Sequence, residues 1–148
     1  MLDIMWSSLS GLQLGRYGEY YAKMLFTAYG YEVYSSEVDD HGVDFIVKNK
    51  SGKIFEVQVK TICRTGYMFI KKNKIVIDDQ HLVALIRLKD NEEPEMFVFP
   101  ASVWKNPNPV FKDRSYGEWG VNYSKKNRKL LEPYLSKTYL PTLQAQKQ

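Results

Sequence analysis

Two short segments, GVDFIV at residues 42–47 and IFEVQVK at residues 54–60, decide the fold of this chain. Both are rich in β-branched and aromatic residues and both alternate polar with apolar side chains, which is typical of strands. The turn-forming residues NKSG at 49–52 separate them. The sequence therefore predicts two antiparallel strands, at 43–47 and 54–60, joined by a short turn.

Polar side chains share one face of this predicted pair. Because successive side chains of a strand point to opposite faces, residues 55, 57 and 59 face a core and Glu56, Gln58 and Lys60 point away from it. The same alternation places Asp44 on the face of Gln58 and Lys60. A carboxylate, an amide oxygen and an ammonium together can hold a hard cation and a phosphate. An ordinary solvated face, with Asp44 as a strand-end carboxylate, has the same pattern.

The segment before these strands predicts a helix over residues 12–29, ended by Gly30. Its main stripe is formed by apolar residues at helical spacing, which are Leu14, Tyr17, Tyr21, Met24, Leu25 and Ala28. Leu12 and Phe26 lie on the other side. We therefore expect this helix to be covered on more than one face.

The rest of the chain continues as a mixture of strands and short helices. Further strands are predicted at 31–35, 67–70, 82–88 and 95–99, a helical turn at 101–104, a long loop at 105–123, and a helix from Ser124 to about residue 131 or 135. Turn signals lie at 39–42. This order predicts an α/β domain over residues 1–140, followed by a loose tail at 141–148.

Composition excludes several kinds of chemistry. The chain has 148 residues, a net charge of +4, one cysteine (Cys63) and two histidines (His41 and His81). It has too few cysteines for a disulfide framework, and too few cysteines and histidines for a zinc site built from Cys and His ligands. Catalysis would have to depend on carboxylates, lysines or an external ion. The apolar run at 82–86 is too short to span a bilayer and no secretory signal is visible, so a cytoplasmic protein is expected.

Residues 42–47 and 56–61 (EVQVKT) resemble the PD-(D/E)XK, or restriction-endonuclease-like, nucleases, in the branch that has Q-x-K and includes some intron homing endonucleases. GRYGEYYA at 15–22, followed by GYEV at 30–33, resembles the first helix of that family with its acidic residue. The resemblance covers residues 12–61 well and the strands as far as Trp104 loosely. It implies a restriction-endonuclease-like core, in which a helix precedes a mixed central β-sheet with flanking helices, and a Mg²⁺-dependent DNA endonuclease.

The resemblance also assigns roles to individual residues. It makes Asp44 the main metal ligand and Lys60 the catalytic lysine, and it gives the side-chain oxygen of Gln58 the place of a second acidic ligand. The carbonyl of Val59 would assist, and Glu19 would approach the metal or its water from the helix. Mn²⁺ is expected to substitute for Mg²⁺. Because Gln58 is neutral, the site would hold a cation less tightly unless Glu19 compensates.

Charge is unevenly distributed along the chain. Residues 32–44 contain five acidic and no basic residues, whereas residues 60–74 contain five basic and no acidic residues. Basic side chains neutralise the phosphates of DNA and release counterions. The predicted contacts with DNA are Arg16, Arg64, Lys71, Lys72 and Lys74. A second basic cluster lies at 125–129. Solvated turns and helix faces account equally well for either cluster.

Several residues have two readings. Glu19 would also form an i,i+4 pair with Lys23. His41, next to two aspartates, would ligate a metal or simply be solvated. The aromatic side chains Tyr116, Trp119 and Tyr123 would stack on bases or form a small core beneath the late loop.

The expected partner is DNA, with no membrane. Because cutting both strands of a duplex needs two sites, a homodimer or a higher homo-oligomer is expected. The first alternative function is a non-catalytic nucleic-acid-binding module on the same fold. The second is a structural subunit with no role in nucleic-acid binding.

Overall fold

Strands outnumber helices in the computed structural model, which describes residues 3–35, 37 and 42–148. The predicted turn at 39–42 lies outside these residues except for Gly42, and so does His41. The described strands are β1 (Glu32–Ser35), β2 (Phe45–Lys48), β3 (Ile54–Ile62), β4 (Tyr67–Lys71), β5 (His81–Arg87), β6 (Glu95–Pro100), β7 (Phe111–Arg114) and β8 (Glu118–Asn122). The α-helices are α1 (Gly11–Ala28), α2 (Arg128–Leu131) and α3 (Ser136–Gln144).

Five of these strands form a mixed central sheet in the order β1-β2-β3-β5-β6. Strands β3 and β5 are parallel, and the other neighbours are antiparallel. The predicted strands at 31–35, 54–60, 82–88 and 95–99 each correspond to one of them. The mixed α/β class predicted from the sequence is confirmed.

Helix α1 packs on one face of the central sheet. It begins at a capping box, in which the side chains and backbone N–H groups of Ser10 and Gln13 bond reciprocally. Its buried residues recur every four positions, at Leu14, Gly18, Ala22 and Phe26. The expectation that this helix is covered on more than one face holds only in part, because Trp6 packs on Tyr17 with ring centroids 4.7 Å apart, whereas Leu12 remains 78% exposed.

A second sheet covers the opposite face of the central sheet. It has the order β4-β8-β7, and its strands β7 and β8 occupy about half of the loop predicted at 105–123. A second core fills the space between the two sheets, with Phe97, Phe99 and Trp104 among its buried side chains. Trp119 and Tyr123 pack against this core, as the small-core reading expected. Tyr116 is exposed.

The C-terminal segment packs against the hairpin that joins β2 and β3. Leu143 is only 1% exposed, and the side-chain amide of buried Asn49 donates to the carbonyl oxygens of Leu143 (2.8 Å) and Gln146 (2.9 Å). Residues 141–148 are therefore not the loose tail that the sequence predicted. Their sequence has few apolar residues, but Leu143 and the bonds to Asn49 are enough to hold them.

Candidate active site

Strands β2 and β3 separate at Asp44. Their pairing ends with Phe45 opposite Val57, so the described structure contains no strand beside residues 58–62 on this edge of β3. The N–H of Asp44 also donates to the carbonyl oxygen of Val57, at 2.9 Å. Two residues of one strand thus face a single residue of the other, which is the arrangement of a β-bulge.

The bulge changes the direction of the Asp44 side chain. Regular alternation would place Asp44 on the face of Gln58 and Lys60, as the sequence predicted. Instead its Oδ2 accepts a hydrogen bond from the N–H of Val59, at 2.6 Å. Because the N–H and C=O groups of one strand residue point to the same edge, the carbonyl oxygen of Val59 lies on the side of the Asp44 carboxylate.

The α1-side cleft contains Asp44, Val59, Arg16 and Glu19 and has a volume of about 270 Å³. Glu19 also pairs with Lys23, its Oε1 lying 3.4 Å from the Lys23 Nζ. Glu19 thus forms the i,i+4 pair and also lies in the same cleft as Asp44.

The β4-side cleft lies on the opposite face of β3, has a volume of about 540 Å³, and contains Gln58, Lys60, Lys71 and Lys74. Gln58 and Lys60 lie beside Val83 and Leu85 of β5, which belong to the second core. In the part of the chain that the structure describes, neither the Gln58 amide nor the Lys60 ammonium has a hydrogen-bond or ion-pair partner. The two clefts therefore lie on opposite faces of residues 58–60 of β3.

The donor set around β3 suits a hard cation. It comprises the carboxylates of Asp44 and Glu19, the carbonyl of Val59 and, from the other face, the amide oxygen of Gln58. Oxygen ligands are those that Mg²⁺ prefers, and Mg²⁺ commonly keeps several waters. Among the described residues, no three His, Cys, Asp or Glu side chains form a metal-binding group. Any ion here would therefore depend on two carboxylates and neutral oxygens.

His81 lies between two carboxylates, a contact that the sequence did not predict. Its Nε2 lies 2.8 Å from Glu56 Oε2, and its Nδ1 lies 2.8 Å from Asp78 Oδ1. Partial burial favours the neutral carboxyl of Asp78, but hydrogen bonds from the His81 side chain and from the backbone outweigh it, so the pKa of Asp78 is lowered. Glu56 is thus held by His81. Only the pairing of β3 with β5 reveals this contact, because 25 residues separate the two in sequence.

The predicted DNA contacts divide into two groups. Arg16, Lys71 and Lys74 line the two clefts. Arg64 instead donates to the carbonyl oxygen of Ser7, at 2.6 Å, and Lys72 pairs with Asp113 while its Nζ lies 4.3 Å from the centre of the Trp119 ring. In the second basic cluster, Arg128 binds both carboxylate oxygens of Glu95.

The fold, in which a helix packs on a mixed five-stranded sheet, is similar to the folds of two solved nucleases. The bacterial homing endonuclease I-Ssp6803I is 17% identical with a TM-score of 0.60, and the match covers 95% of this chain and 99% of that one. Hjc, a Holliday junction resolvase from the archaeal hyperthermophile Archaeoglobus fulgidus, is 9% identical with a TM-score of 0.53, covering 78% of this chain and 88% of that one. At these identities the likeness establishes the fold alone.

Sequence comparison adds no closer relation: no protein-family model matches the chain, and no curated protein is significantly similar to it. None of the described helices combines the length and the apolar character that crossing a membrane requires.

Proposed function

We propose that this chain is a Mg²⁺-dependent DNA endonuclease. The observation that supports this most directly is the position of the Asp44 carboxylate, which a bulge and a hydrogen bond from Val59 hold at the open edge of β3. Gln58 and Lys60 flank Val59 in sequence, and both present to the neighbouring cleft polar groups that have no partner among the described residues. The acid is thus at the strand edge, in the α1-side cleft, whereas the amide and the lysine of the Q-x-K pattern lie in the β4-side cleft.

In this proposal each oxygen donor has a place around the ion. Asp44 and the carbonyl of Val59 would hold it at the strand edge and Glu19 would approach from α1, and the side-chain oxygen of Gln58 would have to reach the ion around that edge, because Gln58 lies in the other cleft. Bound Mg²⁺ supplies Lewis acidity and lowers the pKa of a coordinated water. Mn²⁺ would serve in the same way.

Lys60 stabilises the charge that develops on the scissile phosphate. Its ammonium has no ion-pair partner among the described residues, so no carboxylate there competes with the phosphate for it. A fixed cation directed at developing charge is worth most where water is excluded. Lys71 and Lys74 bind neighbouring phosphates, and Arg16 does so from the other cleft.

The test is DNA cutting by purified protein in Mg²⁺ or Mn²⁺. Lys60→Ala and Asp44→Ala are each expected to reduce the cutting rate by about 100-fold or more, the usual cost of removing one group that stabilises transition-state charge. Lys105→Ala is the matched control, because Lys105 is exposed and lies outside both clefts. The proposal fails if the wild type cuts no plasmid or branched DNA, or if both site variants cut at the wild-type rate.

The second candidate is a module that binds DNA without cutting it. The neutral side chain of Gln58 favours this candidate, because it makes the site hold a cation less tightly. The affinity of such a module for DNA would fall steeply with salt concentration, because that dependence arises from counterion release and does not require cutting. Titration of this module with Mg²⁺ would give no signal of metal binding.

A nuclease that cuts both strands would need a second copy of the site, so we propose a homodimer. Sedimentation with and without DNA checks this.

A further inference from the structure

Phe69 is an exposed aromatic side chain within the β4-side cleft. It lies in the middle of β4, where Met68 and Ile70 are buried in the second core and Phe69 points outward with 42% of its surface exposed. A ligand that covered this ring would remove apolar surface from water, which is favourable. Phe69 lines the same cleft as Gln58 and Lys60.

The side chains of the second sheet do not cover the Phe69 ring. Phe69 pairs with Gly120 of β8, which has no side chain to cover it. The adjacent Tyr67 lies across Gly120 so closely that a Cβ there would be 2.5 Å from the Tyr67 hydroxyl oxygen. Tyr67 therefore forms a fixed wall, and Phe69 is the aromatic face available to a ligand.

The charges around Phe69 suit a polyanion. Lys60, Lys71 and Lys74 line the cleft, and no acidic side chain among the described residues does. A volume of about 540 Å³ lies within the range of small-ligand sites, so the cleft has room for a nucleotide. A ring among lysines is the combination that binds unpaired bases, because every base offers a flat face for stacking. In a paired duplex both faces of each base are already covered.

We propose that the β4-side cleft holds an unpaired nucleotide beside the scissile phosphate, its base stacked on Phe69 and its phosphates bound by Lys71 and Lys74. This inference rests on the proposed function and narrows its substrate. The preferred DNA has unpaired bases at the cut, as in a bulge, a fork or a branch, rather than continuous base pairs.

The test compares two fluorescently labelled duplexes of the same sequence, one fully paired and one with a single unpaired base, by anisotropy without metal. The wild type is expected to bind the bulged duplex about tenfold more tightly, a typical effect of one stacked base. Phe69→Ala should abolish that preference, and Phe69→Trp should keep it. Tyr34→Ala is the matched control, since Tyr34 is a similarly exposed aromatic residue (47%) on β1.

Circular dichroism establishes that each variant is folded, and 2-aminopurine at the unpaired position reports stacking directly. Equal affinity of the wild type for the two duplexes overturns the inference, and so does a Phe69→Ala variant that retains the preference or weakens both complexes equally. If the wild type cuts DNA but shows no preference, the inference alone fails. If it prefers the bulged duplex but cuts nothing in Mg²⁺ or Mn²⁺, the proposed function alone fails. Failure to bind either duplex contradicts both.

Discussion

The Asp44 carboxylate accepts a hydrogen bond from the N–H of Val59. If β2 continued past Phe45, its backbone would have bonded that N–H instead. A backbone donor left without a partner is unfavourable, so the carboxylate has a structural role as well as its proposed chemical one. The bulge allows this hydrogen bond, because it turns the Asp44 side chain toward the edge of β3. Asp44 and Gln58 are therefore on different faces of β3, separated by the backbone of Val59.

Gln58 is the residue at which charge decides metal affinity. Gln58→Glu adds one negative charge with little change in shape, and the attraction between opposite charges near a protein surface amounts to about 1–4 kcal/mol. We expect about tenfold tighter binding of Mn²⁺, measured by titration calorimetry. Gln80→Glu makes the same change in net charge at an exposed position outside both clefts and should leave affinity unaltered. Unchanged binding by Gln58→Glu would place residue 58 outside the metal site.

At the scale of elements, α1 and β3 approach each other closely enough that Gly18 has no room for a side chain. A Cβ at Gly18 would lie 2.0 Å from the Thr61 Oγ1. This contact holds the helix against the strand that contains Gln58 and Lys60. The glycines at 11, 15 and 18 look alike in the sequence, but nothing lies within 4 Å of a Cβ at Gly11 or Gly15.

Gly18→Ala is expected to lower the free energy of unfolding by about 1–3 kcal/mol, the usual cost of overpacking. Gly15→Ala on the same helix should raise it by about 0.5–1 kcal/mol, because alanine is the better helix former. Urea denaturation measures both. Thr61→Ala should recover part of the loss in the double variant, since it removes the nearest atom. If Gly18→Ala is as stable as Gly15→Ala, the helix and strand are farther apart than described.

Elements differ in how well their sequence predicts them. The hairpin of β2 and β3 has regular alternation and a strong turn signal, so its strands were predicted to within two residues at each end. Strands β7 and β8 have only four and five residues and lie among prolines and glycines. They form because β8 pairs with the distant β4, and a local pattern does not contain that information.

At the scale of the whole molecule, two cores lie on opposite faces of the central sheet, and the C-terminal segment completes the first. Leu140 and Leu143 of α3 belong to the α1-side core. Asn49 is the buried polar residue of the described structure, and the segment satisfies its amide. The chain thus closes by returning to the β2–β3 turn.

Deleting residues 141–148 is expected to cost about 2–5 kcal/mol of unfolding free energy. The deletion removes a fully buried leucine and leaves the Asn49 amide without acceptors. The urea midpoint measures this effect. Deleting only residues 147–148, which are exposed, is the control and should change stability by no more than about 0.5 kcal/mol. If the longer deletion leaves the midpoint unchanged, the segment does not stabilise the fold.

The sequence by itself determined the mixed α/β class, the antiparallel pair of β2 and β3, and the common face of Gln58 and Lys60, because alternation and turn residues are local properties. Only the tertiary structure decided that a bulge turns Asp44 to the other face, that His81 holds Glu56, and that a second sheet brings Phe69 into the cleft that Lys60 lines. Those outcomes depend on pairing between residues far apart in the chain. The register of such pairing follows from packing of the whole molecule, which no single segment encodes.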